Sequence, residues 1–137
     1  MDFEKLKNFR QERNRFTAKM GVLVEEIRFG YSRVSKVITE DDLNPMGYAH
    51  GGIYFTLADN AAGTAMASHG HMAVTVSANY NFLRSAGPGD TVIAEGREVK
   101  YGKTIGVYDV TVTDQNGTLL GNGSFTFYRL EQPIDFS

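Results

Sequence analysis

The sequence predicts an α+β domain in which a strongly curved antiparallel sheet wraps one long apolar helix. Three observations carry that prediction. Residues 51–67, GGIYFTLADNAAGTAMA, contain no Pro and one charged side chain, Asp59. A helix so apolar all round has to be buried on most sides. Two β-rich segments precede it and four follow, each set off by turn signals. The later strands are long, about 12 residues, and carry Gly96, Gly106, Gly121 and Gly123, which suits strong curvature.

The elements follow in order. Phe3, Leu6, Phe9, Phe16 and Met20 recur mostly at three- and four-residue steps, predicting an amphipathic helix over 2–20. Its Lys5, Lys7, Arg10, Arg13, Arg15 and Lys19 read as a solvated face. VLVEEIRF (22–29) and SRVSKVI (32–38) alternate and predict two strands joined at Gly30-Tyr31. TEDDLNPMGYAH (39–50) is polar and turn-rich, hence a loop. After the apolar helix and a Ser68-His69-Gly70-His71 turn, strands are expected at 72–84, 90–101, 104–113 and 118–130. Gly87-Pro88-Gly89-Asp90 and Asp114-Gln115-Asn116-Gly117 separate them. One domain, 1–137, is expected: an N-terminal helix (1–20), a core (21–130) and a tail (131–137).

Composition narrows the function. A formal charge of −2 over 137 residues argues against a broad nucleic-acid surface. With no Cys, disulfides, thiol nucleophiles and Cys-ligated zinc are excluded. His69 and His71 lie in a turn with no acidic partner nearby, so no metal site is expected. The charged N-terminus lacks the secretory pattern and no run approaches the roughly 18 apolar residues of a membrane span, so a cytoplasmic protein is expected.

Two features carry chemistry. Helical spacing places Asp59 on a stripe with Gly52, Phe55, Ala62, Gly63 and Met66. A carboxylate among such neighbours is expensive to bury unless it is used or paired. It is either a base or nucleophile, or a buried Asp held by an Arg or a backbone donor. His50-Gly51-Gly52 opens the helix, where the first amides lack internal acceptors and carry a positive field. Two glycines admit a carbonyl close to that backbone, or simply begin the helix. Gly51 and Asp59 are eight residues apart, about 12 Å along the axis. One carbonyl cannot touch both within one helix. If both act together, they come from two copies of the helix related by a two-fold axis, with two sites per dimer. Asn44 either orients a reacting group or makes an Asx turn before Pro45. His50 either binds near the carbonyl or caps the helix.

Asn44-Pro45-Met46-Gly47-Tyr48-Ala49-His50-Gly51-Gly52, then Leu57-Ala58-Asp59, resembles the N-x-x-G-x-x-H-G-G-x(5)-A-D signature of hotdog-fold acyl-CoA thioesterases, in their phenylacetic-acid-degradation (PaaI-like) group. Tyr80 to Ala86, Gly89-Asp90, Gly102-Lys103-Thr104 and the strand from Gly121 to Arg129 fit as well. The resemblance covers about residues 20 to 130. It implies a dimer with one continuous sheet, pairing further into tetramers. It implies an acyl-CoA substrate and no metal or redox cofactor. By it, Asp59 is base or nucleophile, Gly51 donates its amide to the thioester carbonyl, and Asn44 and His50 orient the reacting groups.

The phosphates of coenzyme A need cations, and Arg84 at a strand end and Lys103 at a turn are favoured over Arg97 and Lys100. Gly52, Phe55, Met66, Tyr80 and Phe82 are candidates to line the substrate site. Asp42-Leu43-Asn44-Pro45 looks like the D-x-N-P start of hotdog enoyl-CoA hydratases. Those carry a catalytic His two residues after the Pro, and here that position is Gly47. A non-catalytic acyl-CoA-binding or sensing domain is the alternative to an enzyme, and Asp59 argues against it.

Overall fold

The computed structural model describes residues 1–137. Helix α1 (Phe3–Arg13) starts at Asp2, whose carboxylate accepts from Lys5 N at 3.1 Å. The single helix expected over 2–20 is in fact two. Asn14 leaves helical geometry at φ −83°, ψ 84°, and its side chain accepts from Thr17 N at 3.4 Å to begin α2 (Arg15–Lys19). An Asn side chain competes for nearby backbone donors, so it caps a new helix better than it continues an old one.

Strands β1 (Leu23–Arg28) and β2 (Tyr31–Val37) form a hairpin through Gly30, which adopts φ +69°. A short 3₁₀ turn (Glu40–Asp42) leads into the loop before α3 (Gly51–Ala67). Four strands follow: β3 (His71–Phe82), β4 (Thr91–Tyr101), β5 (Ile105–Thr113) and β6 (Leu119–Pro133). β3 ends at Phe82 rather than residue 84, because Leu83 N and Arg84 N both turn to Leu120 O. β6 runs past residue 130, and beyond it Ile134 and Phe136 pack on the core, Phe136 against Phe9.

The strands form one sheet in the order β1-β2-β4-β5-β6-β3, antiparallel throughout. Helix α3 lies across its concave side, with 11 of its 17 residues buried. The approach is close. A Cβ on Gly96 would stand 2.8 Å from Ala61 O, and one on Gly106 would collide with Met66 Sδ. Glycine is therefore required where the sheet passes under the helix. Leu57, Ala61 and Ala65 on α3 meet Val34, Ala94 and Val110 on the sheet in the centre of the core. This is the hotdog arrangement.

The two sheet edges differ. At β1, the Gln11 side chain donates to Val22 O at 2.9 Å and accepts from Val24 N at 2.8 Å, standing in for a neighbouring strand. At β3, 12 residues pair on one side only, and Met72, Val74 and Val76 are 40–54% exposed. The loop before α3 is pinned from beneath. Lys36 and Asp42, both buried, pair at 3.1 Å, and Lys36 also donates to Met20 O. Asp42 accepts from Thr39 N at 2.8 Å, while its carbonyl accepts from His50 N at 2.8 Å.

Candidate active site

His50 ends that loop in extended geometry and caps α3, its Nδ1 accepting from Gly52 N at 2.9 Å. An accepting Nδ1 leaves the proton of a neutral ring on Nε2, a donor at the surface. The Gly52 amide is thus engaged, whereas the Gly51 N–H has no acceptor in the protein. Asn44 makes the Asx turn: its Oδ1 accepts from Met46 N at 2.9 Å and Tyr48 N at 3.2 Å. Its amide nitrogen is left to donate.

An aromatic wall runs beside this helix start. A Cβ on Gly51 would meet Phe82 Cε1 at 3.4 Å. Phe82 packs edge-on against Tyr80 at 4.7 Å between ring centroids, and Tyr80 against Phe55 at 6.4 Å. Tyr80 Oη is buried with no partner, and burial pushes its phenol above the usual range. Met66 is buried in the core and lines no site.

Asp59 stands one turn beyond Phe55, half-buried, and Thr75 Oγ1 on β3 donates to its Oδ1 at 2.8 Å. It lines a cavity of about 390 Å³ between α1, α3 and β3, together with Phe55, Asn60, Gly63, His71 and Arg10. Arg10 is a correction, since it reads as part of a solvated face in the sequence. Its Nε donates to Thr64 Oγ1 at 3.1 Å, and Nη2 lies 3.3 Å from where a Gly63 Cβ would be. Burial draws its guanidinium below the ordinary value, and the nearby Asp59 charge opposes that shift.

The structure brings Gly51, Phe82, Tyr80 and Phe55 together, and Phe55 with Asp59. Gly51 and Asp59 remain eight helical residues apart, about 12 Å. Arg84 and Lys103 are exposed and far apart. Arg84 N binds Leu120 O near one end of β6, and Lys103 O accepts from Arg129 near the other, roughly 30 Å along the strand. Arg97 is paired with Glu95 at 3.1 Å. The histidine turn is also corrected. His69 has an acidic partner, Glu98 on β4, at 2.7 Å, and Tyr108 Oη donates to the same oxygen at 2.7 Å. His71 belongs to β3, and no three His, Asp or Glu side chains converge as metal ligands.

Thr75, Arg10 and Asn60 escaped the sequence reading. One signal was available for Thr75: the alternation of β3 turns it toward the helix with Ala73, and a hydroxyl on an inward face is there for a partner.

The fold is that of the hotdog proteins, and its relatives place the chain in the class of thioester hydrolases. A model of the thioesterase superfamily matches residues 46–120, more than half the chain. The chain belongs to that superfamily, in its PaaI-like group. It is 34% identical over 96 residues to acyl-coenzyme A thioesterase PaaI of Escherichia coli, covering 70% of this chain and 69% of that one. The structure of the E. coli PaaI protein superposes with a TM-score of 0.88 at 29% identity, over 96% of this chain and 98% of the other. A thioesterase-type protein of Streptococcus pneumoniae solved with coenzyme A superposes at 0.83 with 30% identity, over 90% and 99%.

Proposed function

We propose that the protein hydrolyses an acyl- or aryl-acyl-CoA thioester in sites shared between two copies of the chain. The observation that carries this is the pairing of an unsatisfied Gly51 amide with a Thr75-held Asp59 about 12 Å away on the same helix. Neither group can serve one carbonyl alone, and a second helix running antiparallel supplies the missing one. The open β3 edge supports the same reading. The β1 edge is capped by Gln11, so β3 is the edge left to pair with its own copy.

In this reading the Gly51 amide and the helix-start field stabilise the negative charge that develops on the thioester oxygen. Asp59 of the partner subunit either takes a proton from a water that attacks the carbonyl carbon, or attacks that carbon itself to form a mixed anhydride that a water then opens. The C–S bond breaks, the thiolate takes a proton, and free CoA and a carboxylic acid leave. His50 Nε2 and the Asn44 amide orient the thioester and the attacking group. The aromatic wall of Phe55, Tyr80 and Phe82, with Gly52 at the helix start, borders the path. No metal or redox group takes part.

An antiparallel β3 pairing puts Arg84 of one chain and Lys103 of the partner subunit at the same end of the joint sheet, where both serve one CoA. Pairing of dimers into tetramers is consistent with the exposed Val74 and Tyr128, cross-strand partners on the outer sheet face. No helix is long and apolar enough to cross a membrane, and a CoA-dependent reaction fits the cytoplasm. The test is thiol release over a panel of alkyl- and aryl-acyl-CoAs. Saturable binding with no thiol released from any of them would favour an acyl-CoA sensor instead.

A further inference from the structure

The cavity beside Asp59 holds a cation that the hydrolytic reaction does not use. Arg10 reaches it from α1, and no carboxylate of the protein forms an ion pair with it. A hydrogen-bonded chain fixes its orientation. Arg10 Nε donates to Thr64 Oγ1, and Thr64 Oγ1 donates to Asn60 Oδ1 at 3.2 Å. With Nε and Oδ1 engaged, the remaining groups are donors: the two terminal nitrogens of Arg10 and the Asn60 amide. Asn60 is 4% exposed, and its Nδ2 has no partner. His71 Nδ1, on the opposite wall, is also buried and unpaired.

Arg10, Asn60 and His71 thus line one cavity with Asp59, and Arg10 supplies its fixed positive charge. Gly63, four residues beyond Asp59 on α3, leaves the space over which the guanidinium lies, about 6 Å along the helix from the carboxylate. An alkyl chain pushed into this end would strip water from the terminal nitrogens of Arg10 and leave the Asn60 amide as unpaired as it is now. Each donor left bare weakens binding by roughly tenfold. A carboxylate there would accept two parallel hydrogen bonds from the guanidinium.

Resting on the thioesterase reading above, we infer that the preferred acyl group ends in a carboxylate. The substrate class is then the CoA mono-thioester of a short dicarboxylic acid, its free carboxylate held by Arg10 with Asn60 as second donor.

The experiment compares glutaryl-CoA with hexanoyl-CoA on the intact protein. The inference expects kcat/KM to favour glutaryl-CoA by about tenfold or more. In Arg10→Met that ratio falls at least tenfold, and Arg10→Lys, which keeps the charge and loses the two-point fork, retains part of it. The ratio does not depend on how much of a variant is folded. Wild-type preference for hexanoyl-CoA, or a ratio unchanged in Arg10→Met, overturns the inference and leaves the hydrolase reading standing. Calorimetry of both ligands on Asp59→Asn supplies the converse arm. If the wild-type protein releases no thiol from either ligand while Asp59→Asn binds glutaryl-CoA more tightly than Asp59→Asn with Arg10→Met does, the carboxylate site stands and the hydrolase reading falls. Equal binding of both ligands there overturns the inference.

Discussion

Asp59 and Thr75 act as one unit. Asp59→Asn keeps the shape and the Thr75 contact but removes the charge, so kcat falls by about two to four orders of magnitude while the fold and assembly persist. Thiol release by the purified variant checks this, and near-normal turnover would remove Asp59 from the chemistry. Single turnover in ¹⁸O-water bears on its two routes: label in the Asp59 carboxylate requires direct attack followed by opening of the anhydride at the Asp59 carbon, whereas water attack on the thioester labels only the product. Thr75→Val frees the carboxylate to rotate. Its kcat drops about tenfold with KM held, and Thr75→Ser restores it. The relative placement of Asp59 and Gly51 was legible in the sequence because both belong to one continuous helix, where spacing fixes position. Thr75, Arg10 and Asn60 gain meaning only from packing. Thr75 comes from a strand 16 residues on and Arg10 from a helix 49 residues back, so no local period ties them to Asp59.

Among the elements, the loop before α3 has the strictest demands. It holds Asn44 and His50 in place with little apolar burial of its own, and the Lys36–Asp42 pair anchors it. Asp42→Ala leaves a buried ammonium without its counter-charge and breaks the bond to Thr39 N. A loss of about 3 kcal/mol in urea unfolding is expected. A change below about 1 kcal/mol would mean the pair behaves like a surface contact. The apolar helix and the succession of strands along the chain were visible in the sequence, since periodicity and turn residues are local signals, whereas the sheet order β1-β2-β4-β5-β6-β3 is set by long-range pairing. The break at Asn14 was not, because the apolar steps continue through it to Phe16 and only the side-chain cap reveals it.

For the whole molecule, the shared site predicts complementation. Gly51→Val crowds Phe82 and closes the helix start, and Asp59→Asn removes the carboxylate, so each variant alone is nearly inactive. Refolded together, about half the dimers are hybrids, each with one intact site, and about a quarter of wild-type activity returns. Full subunit exchange without recovery would place both groups in one chain's site. CoA binding should also weaken as salt rises, and Arg84→Ala or Lys103→Ala should flatten that slope in calorimetric titrations. The Asn14 break bears on how such an enzyme diversifies. The helix before it is attached through Leu6, Gln11 and the edge-on Phe9–Phe136 contact, and touches the helix of Gly51 and Asp59 through the Arg10–Thr64 hydrogen bond. Yet it forms one wall of the cavity in which Asp59 stands. Its cavity-facing residues, Phe9 and Arg10, can therefore change while Leu6 and Gln11 keep the helix in place and Gly51 and Asp59 are untouched. Descendants of this chain can inherit the chemistry unchanged while drifting toward new substrates.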